Sequence, residues 1–199
     1  MLNTSKMMRA YVRFTVALLA IAGAVCHADG PGEIGASLPA QAAADVLRDF
    51  AASDGAFLAA ALVKDSYKKD DLSSILEYPT DTVLVIELKG SQIRQAFERS
   101  VSLYPQHNSS FLQISGFDVS FSKTAPPDHR VTAITASGAK LEDGRTYTVA
   151  MPANLARGAL GYFKVWENAK VAKSFGRTME DVLKSKHYAD TSPRWSAQG

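Results

Sequence analysis

Cysteine is nearly absent from this sequence, and so are the compositional biases that mark specialised classes of protein. A single cysteine, Cys26, excludes a disulfide scaffold. The formal net charge is +2, from 22 Lys and Arg against 20 Asp and Glu, which is too small to indicate binding to a nucleic acid polymer. Thirteen glycines and eight prolines in 199 residues, with no internal repeat, exclude a collagen or a low-complexity tail. The remaining composition, 46% hydrophobic and 21% charged, predicts an ordinary globular protein of one to two domains.

The first 28 residues are predicted to be a secretory signal peptide. Lys6, Arg9 and Arg13 provide a basic start, and residues 14–25 form a short apolar stretch without charge. Residues 26–28 (CHA) then offer a cleavage site. The apolar stretch is too short to span a bilayer comfortably. We therefore expect no membrane span after cleavage, and a secreted or periplasmic location.

A lipid anchor on Cys26 is the alternative to cleavage after Ala28. The bulky Val25 disfavours this anchor, because a small residue normally precedes a lipidated cysteine. Cleavage after Ala28 would remove three positive charges and no negative ones, which takes the formal charge from +2 to −1. It would also remove the only thiol, so cysteine catalysis and thiolate metal sites would be excluded.

The rest of the chain is predicted to form one domain of mixed α and β structure, with a mixed sheet and packed helices. We assign residues 29–36 to a flexible lead-in, 37–190 to the domain and 191–199 to a tail. Hydrophobic periodicity predicts helices at 37–50, 91–101 and 178–188, and strands at 56–63, 82–88, 117–121, 130–136 and 146–150.

Catalytic and metal-binding signatures are missing from this domain. His107, His129 and His187 have no metal-ligand spacing to one another or to a pair of carboxylates. The sequence has no G-x-S-x-G elbow, no phosphate-binding GxxxxGK[ST] loop and no GxGxxG fingerprint. We therefore predict no catalytic residue, no bound metal and no cofactor.

Six short segments occur in an order that is specific to one family. They are residues 78–90 (YPTDTVLVIELKG), 92–98 (QIRQAFE), 111–116 (FLQISG), 127–131 (PDHRV), 144–150 (GRTYTVA) and 154–158 (NLARG). In this order and spacing, the chain resembles the C-terminal domain of the secreted 5′-nucleotidases, a family that includes UDP-sugar hydrolases and cyclic-nucleotide phosphodiesterases. The likeness covers most of the chain beyond the predicted signal peptide.

The resemblance implies that catalysis belongs to a separate metallophosphoesterase domain, in which two metal ions activate water. The C-terminal domain of the family binds the rest of the substrate and stacks the nucleobase between two aromatic rings. By position in the matching segments, Phe111 corresponds to one stacking aromatic and Tyr162 to the other. Asn154 corresponds to the asparagine that begins the last of these stretches. Phe111, Tyr162 and Asn154 are therefore the predicted ligand-binding residues.

Two departures from the family pattern weaken the expected binding. The family turn before the second aromatic contains an aspartate, whereas residues 158–161 are GALG. The family segment Asn-Gly-Gly-Gly-Ile-Arg is replaced by AAALVK at 59–64, so no guanidinium is present for a bidentate phosphate contact. Lys64 offers a weaker point charge in its place.

Three functions remain open from the sequence. In the first interpretation, the chain is a non-catalytic binding module that holds a nucleoside-like or nucleotide-like ligand between the two aromatic side chains. Alternatively, it is the substrate-binding subunit of a split 5′-nucleotidase that works with a metallophosphoesterase made as a separate chain. In the third interpretation it is an interaction or structural module that kept the fold and lost the ligand.

Overall fold

A computed structural model describes residues 35–187 and 192–199. The predicted signal peptide lies outside the described residues. The described chain has four α-helices: α1 (Leu38–Ala51), α2 (Gly90–Val101), α3 (Ala153–Ala156) and α4 (Met179–Leu183). Its nine strands are β1 (Gly55–Ala59), β2 (Thr82–Lys89), β3 (Leu112–Ser115), β4 (Phe117–Ser122), β5 (Val131–Ala136), β6 (Ala139–Lys140), β7 (Thr146–Pro152), β8 (Lys170–Thr178) and β9 (Trp195–Gln198). The predicted mixed α/β class is confirmed.

The strands form two mixed sheets. The larger sheet has the order β3-β1-β7-β2-β8, and only β1 and β7 run parallel in it. The smaller sheet has the order β6-β5-β4-β9, in which β9 runs parallel to β4. Strand β9 lies in the segment assigned to a tail, so the structure adds a strand there. Strand β2 contributes Ile86 and Leu88 to one hydrophobic core and Val83 and Val85 to another, which explains its nearly continuous apolar sequence.

The first two helices begin where the sequence predicts them. Ser37 precedes α1 with an extended backbone, and its Oγ accepts a hydrogen bond from the Ala40 N–H at 3.4 Å. The helix ends at Ala51, and the next residue, Ala52, adopts a left-handed conformation with φ 48°. At the start of α2 the Gln92 Oε1 accepts a hydrogen bond from the Lys89 N–H at 2.9 Å. These contacts satisfy backbone donors that the first turn leaves free.

The larger sheet separates two hydrophobic cores. One face packs on α1 and α4 through small residues, and Ala43, Ala44 and Leu47 of α1 are fully buried there. The other face packs on α2 and the smaller sheet through large aromatic side chains. Alternate residues of β1 enter the two cores, since Phe57 joins the aromatic core and Leu58 the aliphatic one. The aromatic core contains both rings that the sequence analysis predicts to bind a ligand.

No helix among the described residues is long and apolar enough to cross a membrane.

Candidate functional site

The predicted ligand-binding residues follow or precede strands at one edge of the larger sheet. Strands β1 and β7 run parallel, with Ala56 opposite Ala150, so both end at this edge. Strand β3 is antiparallel to β1 and therefore begins there, directly after Phe111. Asn154 and Tyr162 follow the end of β7. We call this the C-terminal edge of the sheet.

Phe111 is buried at the C-terminal edge, with 1% of its surface exposed. Its ring lies against Trp195 of β9, with 4.7 Å between ring centroids and 44° between ring planes. The Gly35 backbone passes on its way to α1 so closely that a Cβ at this position would lie 3.3 Å from the Phe111 Cγ. The Trp195 indole is fixed by a hydrogen bond from its Nε1 to the Leu112 carbonyl at 3.0 Å. Phe111 therefore presents no open face to a ligand in this conformation.

Tyr162 is fully buried and is covered by two side chains of the protein. Trp166 stacks on its ring at 4.9 Å with 12° between the planes. The Arg99 guanidinium lies over the same ring, with its Cζ 5.3 Å from the centroid. The space on which a base would stack is occupied by the chain itself.

A hydrogen bond of the Tyr162 hydroxyl connects the two aromatic residues that are predicted to bind a ligand. The hydroxyl donates a hydrogen bond to the Ser110 carbonyl at 2.6 Å, next to Phe111 in the chain. The Ser100 Oγ lies 3.4 Å from the same oxygen. Burial raises the pKa of Tyr162, and the Ser100 hydrogen bond and the charge of Arg99 oppose this shift only partly. The phenol is therefore neutral and acts as a structural donor.

The Arg99 guanidinium packs against the turn at residues 158–161, which departs from the family pattern. Its Nε and Nη2 both donate hydrogen bonds to the Leu160 carbonyl, the former at 3.1 Å. Gly161 has φ +80°, and a Cβ there would collide with the Arg99 Nη2. No sequence pattern marks this role, because Arg99 looks like an ordinary basic residue in the last turn of α2.

Asn154 lies at the start of α3 and has an exposed side chain. Its backbone N–H donates a hydrogen bond to the Asp81 Oδ2 at 3.0 Å, which joins the end of β7 to the start of β2. Of the three predicted residues, Asn154 is the one whose side chain is open to solvent.

A pocket of about 200 Å³ opens at the C-terminal edge where the sequence replaces the family's glycine-rich segment. Its lining comprises Gly35, Ala36, Ser37, Ala60, Val63, Lys64, Asp65, His107 and Gln113. The Gln113 side chain fixes the backbone before α1 at this pocket, because its Nε2 donates to the Gly35 carbonyl at 2.7 Å and its Oε1 accepts from the Ser37 N–H at 2.8 Å. Lys64 and His107 are exposed at its border.

Metal-binding residues do not converge anywhere in the described ranges. Within residues 35–187 and 192–199, no group of three or more His, Cys, Asp or Glu side chains is placed to hold a metal ion. The pocket at the C-terminal edge offers hydrogen-bonding groups, the Lys64 ammonium, the Asp65 carboxylate and the His107 imidazole.

Comparison with curated proteins gives partial matches to 5′-nucleotidases. The 5′-nucleotidase of Diplobatis ommata is 32% identical over 124 residues, which cover 58% of this chain and 21% of that protein. The snake venom 5′-nucleotidase of Macrovipera lebetinus is 34% identical over 101 residues, which cover 47% of this chain and 24% of that protein. The chain thus spans less than a quarter of the length of these relatives.

Solved structures share the fold of the described domain. A 5′-nucleotidase precursor from Thermus thermophilus superposes with a TM-score of 0.70 at 21% identity, over 83% of this chain and 37% of that one. The NAD nucleotidase of Haemophilus influenzae superposes with a TM-score of 0.64 at 13% identity, over 83% of this chain and 34% of that one. At these identities the likeness is one of fold. The family model for the 5′-nucleotidase C-terminal domain matches residues 15–167, and the chain belongs to that family.

Proposed function

We propose that this chain is an exported, non-catalytic binding domain that holds a small nucleotide-like ligand at the C-terminal edge of its larger sheet. The observation that carries the proposal is the pocket bordered by Lys64 and His107, which lies where the family resemblance puts the anionic end of a substrate. Asn154 exposes its side chain at the same edge. Export depends on the predicted signal peptide at 1–28, which lies outside the described residues.

The charges around the pocket predict that a nucleotide binds weakly, and more tightly than the uncharged nucleoside. Lys64 supplies a positive point charge without the planar fork of an arginine, and Asp65 borders the same pocket. Stacking of a base contributes roughly 1–3 kcal/mol where a ring face is free. Because Phe111 and Tyr162 are covered, this contribution requires the tryptophans to move. A net binding free energy of about 4 kcal/mol corresponds to millimolar affinity.

Titration calorimetry with AMP and adenosine tests this proposal. We expect AMP to bind more tightly than adenosine, because only AMP carries the anion that Lys64 attracts. Lys64→Gln should weaken AMP binding several-fold and leave adenosine binding unchanged. Lys69→Gln is the matched control, since Lys69 is exposed in the same loop region but does not line the pocket. Equal AMP affinity in Lys64→Gln and the parent chain would refute the assignment of the pocket.

A second candidate, an interaction or structural module without a ligand, is favoured by the covered rings. Trp195 covers Phe111, and Trp166 and Arg99 cover Tyr162. In this interpretation the aromatic pair stabilises the core and has no contact with a nucleobase. The calorimetry separates the two candidates, because absence of heat with both AMP and adenosine at millimolar concentration supports the module without a ligand.

The partner of the proposed binding domain is a metallophosphoesterase made as a separate chain. This pairing is supported by the family to which the chain belongs, in which the resemblance assigns catalysis to a metallophosphoesterase domain, and by the described residues, among which no group of three or more possible metal ligands occurs. The domain would then present a nucleotide to metal ions that the partner holds.

A further inference from the structure

A second pocket lies at the opposite end of the larger sheet from the C-terminal edge. It measures about 210 Å³ and is lined by Arg48, Gly116, Phe117, Asp118, Ser137 and Arg194. Gly116 follows the last residue of β3, and that residue, Ser115, pairs with Ala56 near the start of β1. The pocket is therefore separated from the proposed ligand pocket by the length of the strands. We call it the two-arginine pocket.

Helix α1 carries two buried hydrogen-bond donors without acceptors, and one of them belongs to Arg48, which lines this pocket. Gln41 Nε2 and Arg48 Nε are the buried side-chain atoms of residues 35–187 and 192–199 that lack a hydrogen-bond partner. The two residues are seven positions apart and thus lie on one face of the helix. Asp45 lies between them on that face. A buried donor without an acceptor costs about 1–3 kcal/mol, and more when it is charged, so an acceptor that reaches the Arg48 guanidinium would stabilise it.

Asp45 does not serve as that acceptor for the Arg48 Nε. Its Oδ1 and Oδ2 accept hydrogen bonds from the Arg194 Nη2 at 2.7 and 2.8 Å. The Oδ1 also accepts one from the Ser115 hydroxyl. Asp118, the other carboxylate of the pocket, accepts a hydrogen bond from the Thr135 hydroxyl at 3.3 Å. The Arg48 Nε therefore lacks an acceptor among the described residues.

Arg194, in contrast, is held rigidly beside the pocket. Its Nη1 donates to the Ile114 carbonyl at 3.1 Å, in addition to its ion pair with Asp45. Its backbone N–H donates to the Gln41 Oε1 at 3.1 Å, which fixes the Gln41 amide with its NH₂ group unpaired. Arginine guanidinium groups bind carboxylates and phosphates through parallel N–H donors, and both Arg48 and Arg194 line this pocket.

We propose that the two-arginine pocket binds a small oxyanion, a phosphate or a carboxylate, between Arg48 and Arg194. The Ser137 hydroxyl lines the same pocket and can donate a further hydrogen bond. This site does not depend on the proposed function, because the two pockets share no residue.

Titration of the full chain with inorganic phosphate and, separately, with succinate tests this site. We expect saturable binding of at least one of them at millimolar concentration, and the stronger of the two identifies the ligand chemistry. Arg48→Gln should lower that affinity at least tenfold, and Arg48→Lys should recover only part of it, because lysine lacks the guanidinium fork. Arg177→Gln, at an exposed arginine of β8, should bind as the parent chain does.

Thermal unfolding provides a readout that also detects a folding defect. Phosphate or succinate should raise the Tm of the parent chain and leave that of Arg48→Gln unchanged, since a ligand stabilises only a protein that binds it. Without added anion, Arg48→Gln should unfold at the same temperature as the parent or higher, because an unpaired buried donor has been removed. Absence of binding by the parent chain to both anions, or equal binding by Arg48→Gln, would overturn the proposal. Neither result would affect the test of the proposed function, which compares AMP binding by Lys64→Gln and by the parent chain.

Discussion

The side chain of Tyr162 carries a polar hydroxyl into an aromatic core. The hydroxyl is satisfied by the Ser110 carbonyl, and the ring is enclosed by Trp166 and Arg99. The resemblance identified the aromatic character of this position from the sequence alone. It did not identify the enclosure, because Arg99 reaches Tyr162 from a helix that is distant in sequence. The prediction that Tyr162 contacts a ligand remains a prediction, to be tested by calorimetry.

Replacement of Tyr162 by phenylalanine should destabilise the protein at neutral pH. The variant keeps the ring but leaves the Ser110 carbonyl without its buried donor, a loss of about 1–3 kcal/mol in the free energy of unfolding. Urea unfolding followed by circular dichroism measures this difference. Tyr78→Phe is the control, since Tyr78 is 55% exposed and should change stability little. Equal stability of Tyr162→Phe and the parent would show that the buried hydrogen bond contributes nothing.

The pKa of Tyr162 also predicts how stability depends on alkaline pH. Burial raises the pKa of the folded phenol, whereas the unfolded phenol ionises near its ordinary value of about 10. The contribution of Tyr162 is therefore complete below pH about 10 and falls as the pH rises above it, because only the unfolded chain releases the proton. The parent chain should lose more stability than Tyr162→Phe between pH about 9 and pH about 11. Parallel pH profiles for the two proteins would contradict this expectation.

At the scale of elements, the strongly patterned segments were predictable and the exposed ones were not. The helix at 91–101 and the strand at 82–88 match α2 and β2 within a residue or so at each end. Strand β8 was missed because its residues are exposed on both faces, so no alternation of polar and apolar residues marks it. The predicted helix at 178–188 is wrong at residues 184–187, because Lys184 is extended and Ser185 has φ 57°, and residue 188 lies outside the described residues.

Strand β9 was missed for a different reason. Its single large apolar residue is Trp195, and one residue gives no periodic pattern. The strand is nevertheless held by parallel pairing with β4, by the Arg194–Asp45 ion pair just before it and by ring contacts of Trp195 with Phe97 and Phe111. All these contacts are with residues far away in the sequence, which local pattern analysis cannot find.

Trp195→Ala should therefore cost about 3–5 kcal/mol in the free energy of unfolding, because it removes a buried aromatic side chain from the core. Urea unfolding measures the loss. Ser196→Ala on the same strand is the matched control, since Ser196 is exposed and should change stability by less than about 0.5 kcal/mol. If both variants unfold at the same urea concentration, β9 does not belong to the cooperative core.

At the scale of the whole molecule, the two pockets lie at opposite ends of one sheet and are lined by different basic side chains. The C-terminal edge carries Lys64 and His107, whereas the other end carries the two arginines. The family resemblance points to the first region through residues 59–64 and 111–116, although Phe111, Tyr162 and Asn154 do not line the pocket there. It could not predict the second, because Arg48 and Arg194 come together only when β9 pairs with β4 and places Arg194 beside α1.

The chain alone should release no phosphate from AMP, even with added Mn²⁺ or Zn²⁺, because its described residues place no set of metal ligands together. A secreted metallophosphoesterase from the same source that lacks this domain should hydrolyse AMP with a lower KM when the chain is added. A phosphate-release assay with each protein alone and with the mixture measures both effects. Lys64→Gln in the mixture controls for nonspecific stimulation.

Two outcomes would contradict the split-enzyme expectation. Hydrolysis by the chain alone that persists after rigorous purification would show a catalytic centre that we did not identify. An unchanged KM in the mixture would leave the binding proposal intact and remove the catalytic partner.

The order of strands also determines when the protein can fold during synthesis. Gly55 of β1 pairs with Val149 of β7, and Val119 of β4 pairs with Trp195 of β9. The β1–β7 pairing therefore has to wait until residue 149 has been synthesised, and the smaller sheet gains its last strand only with residues 195–198. Pairings between such distant segments form slowly, because a long loop must close before each contact contributes to stability.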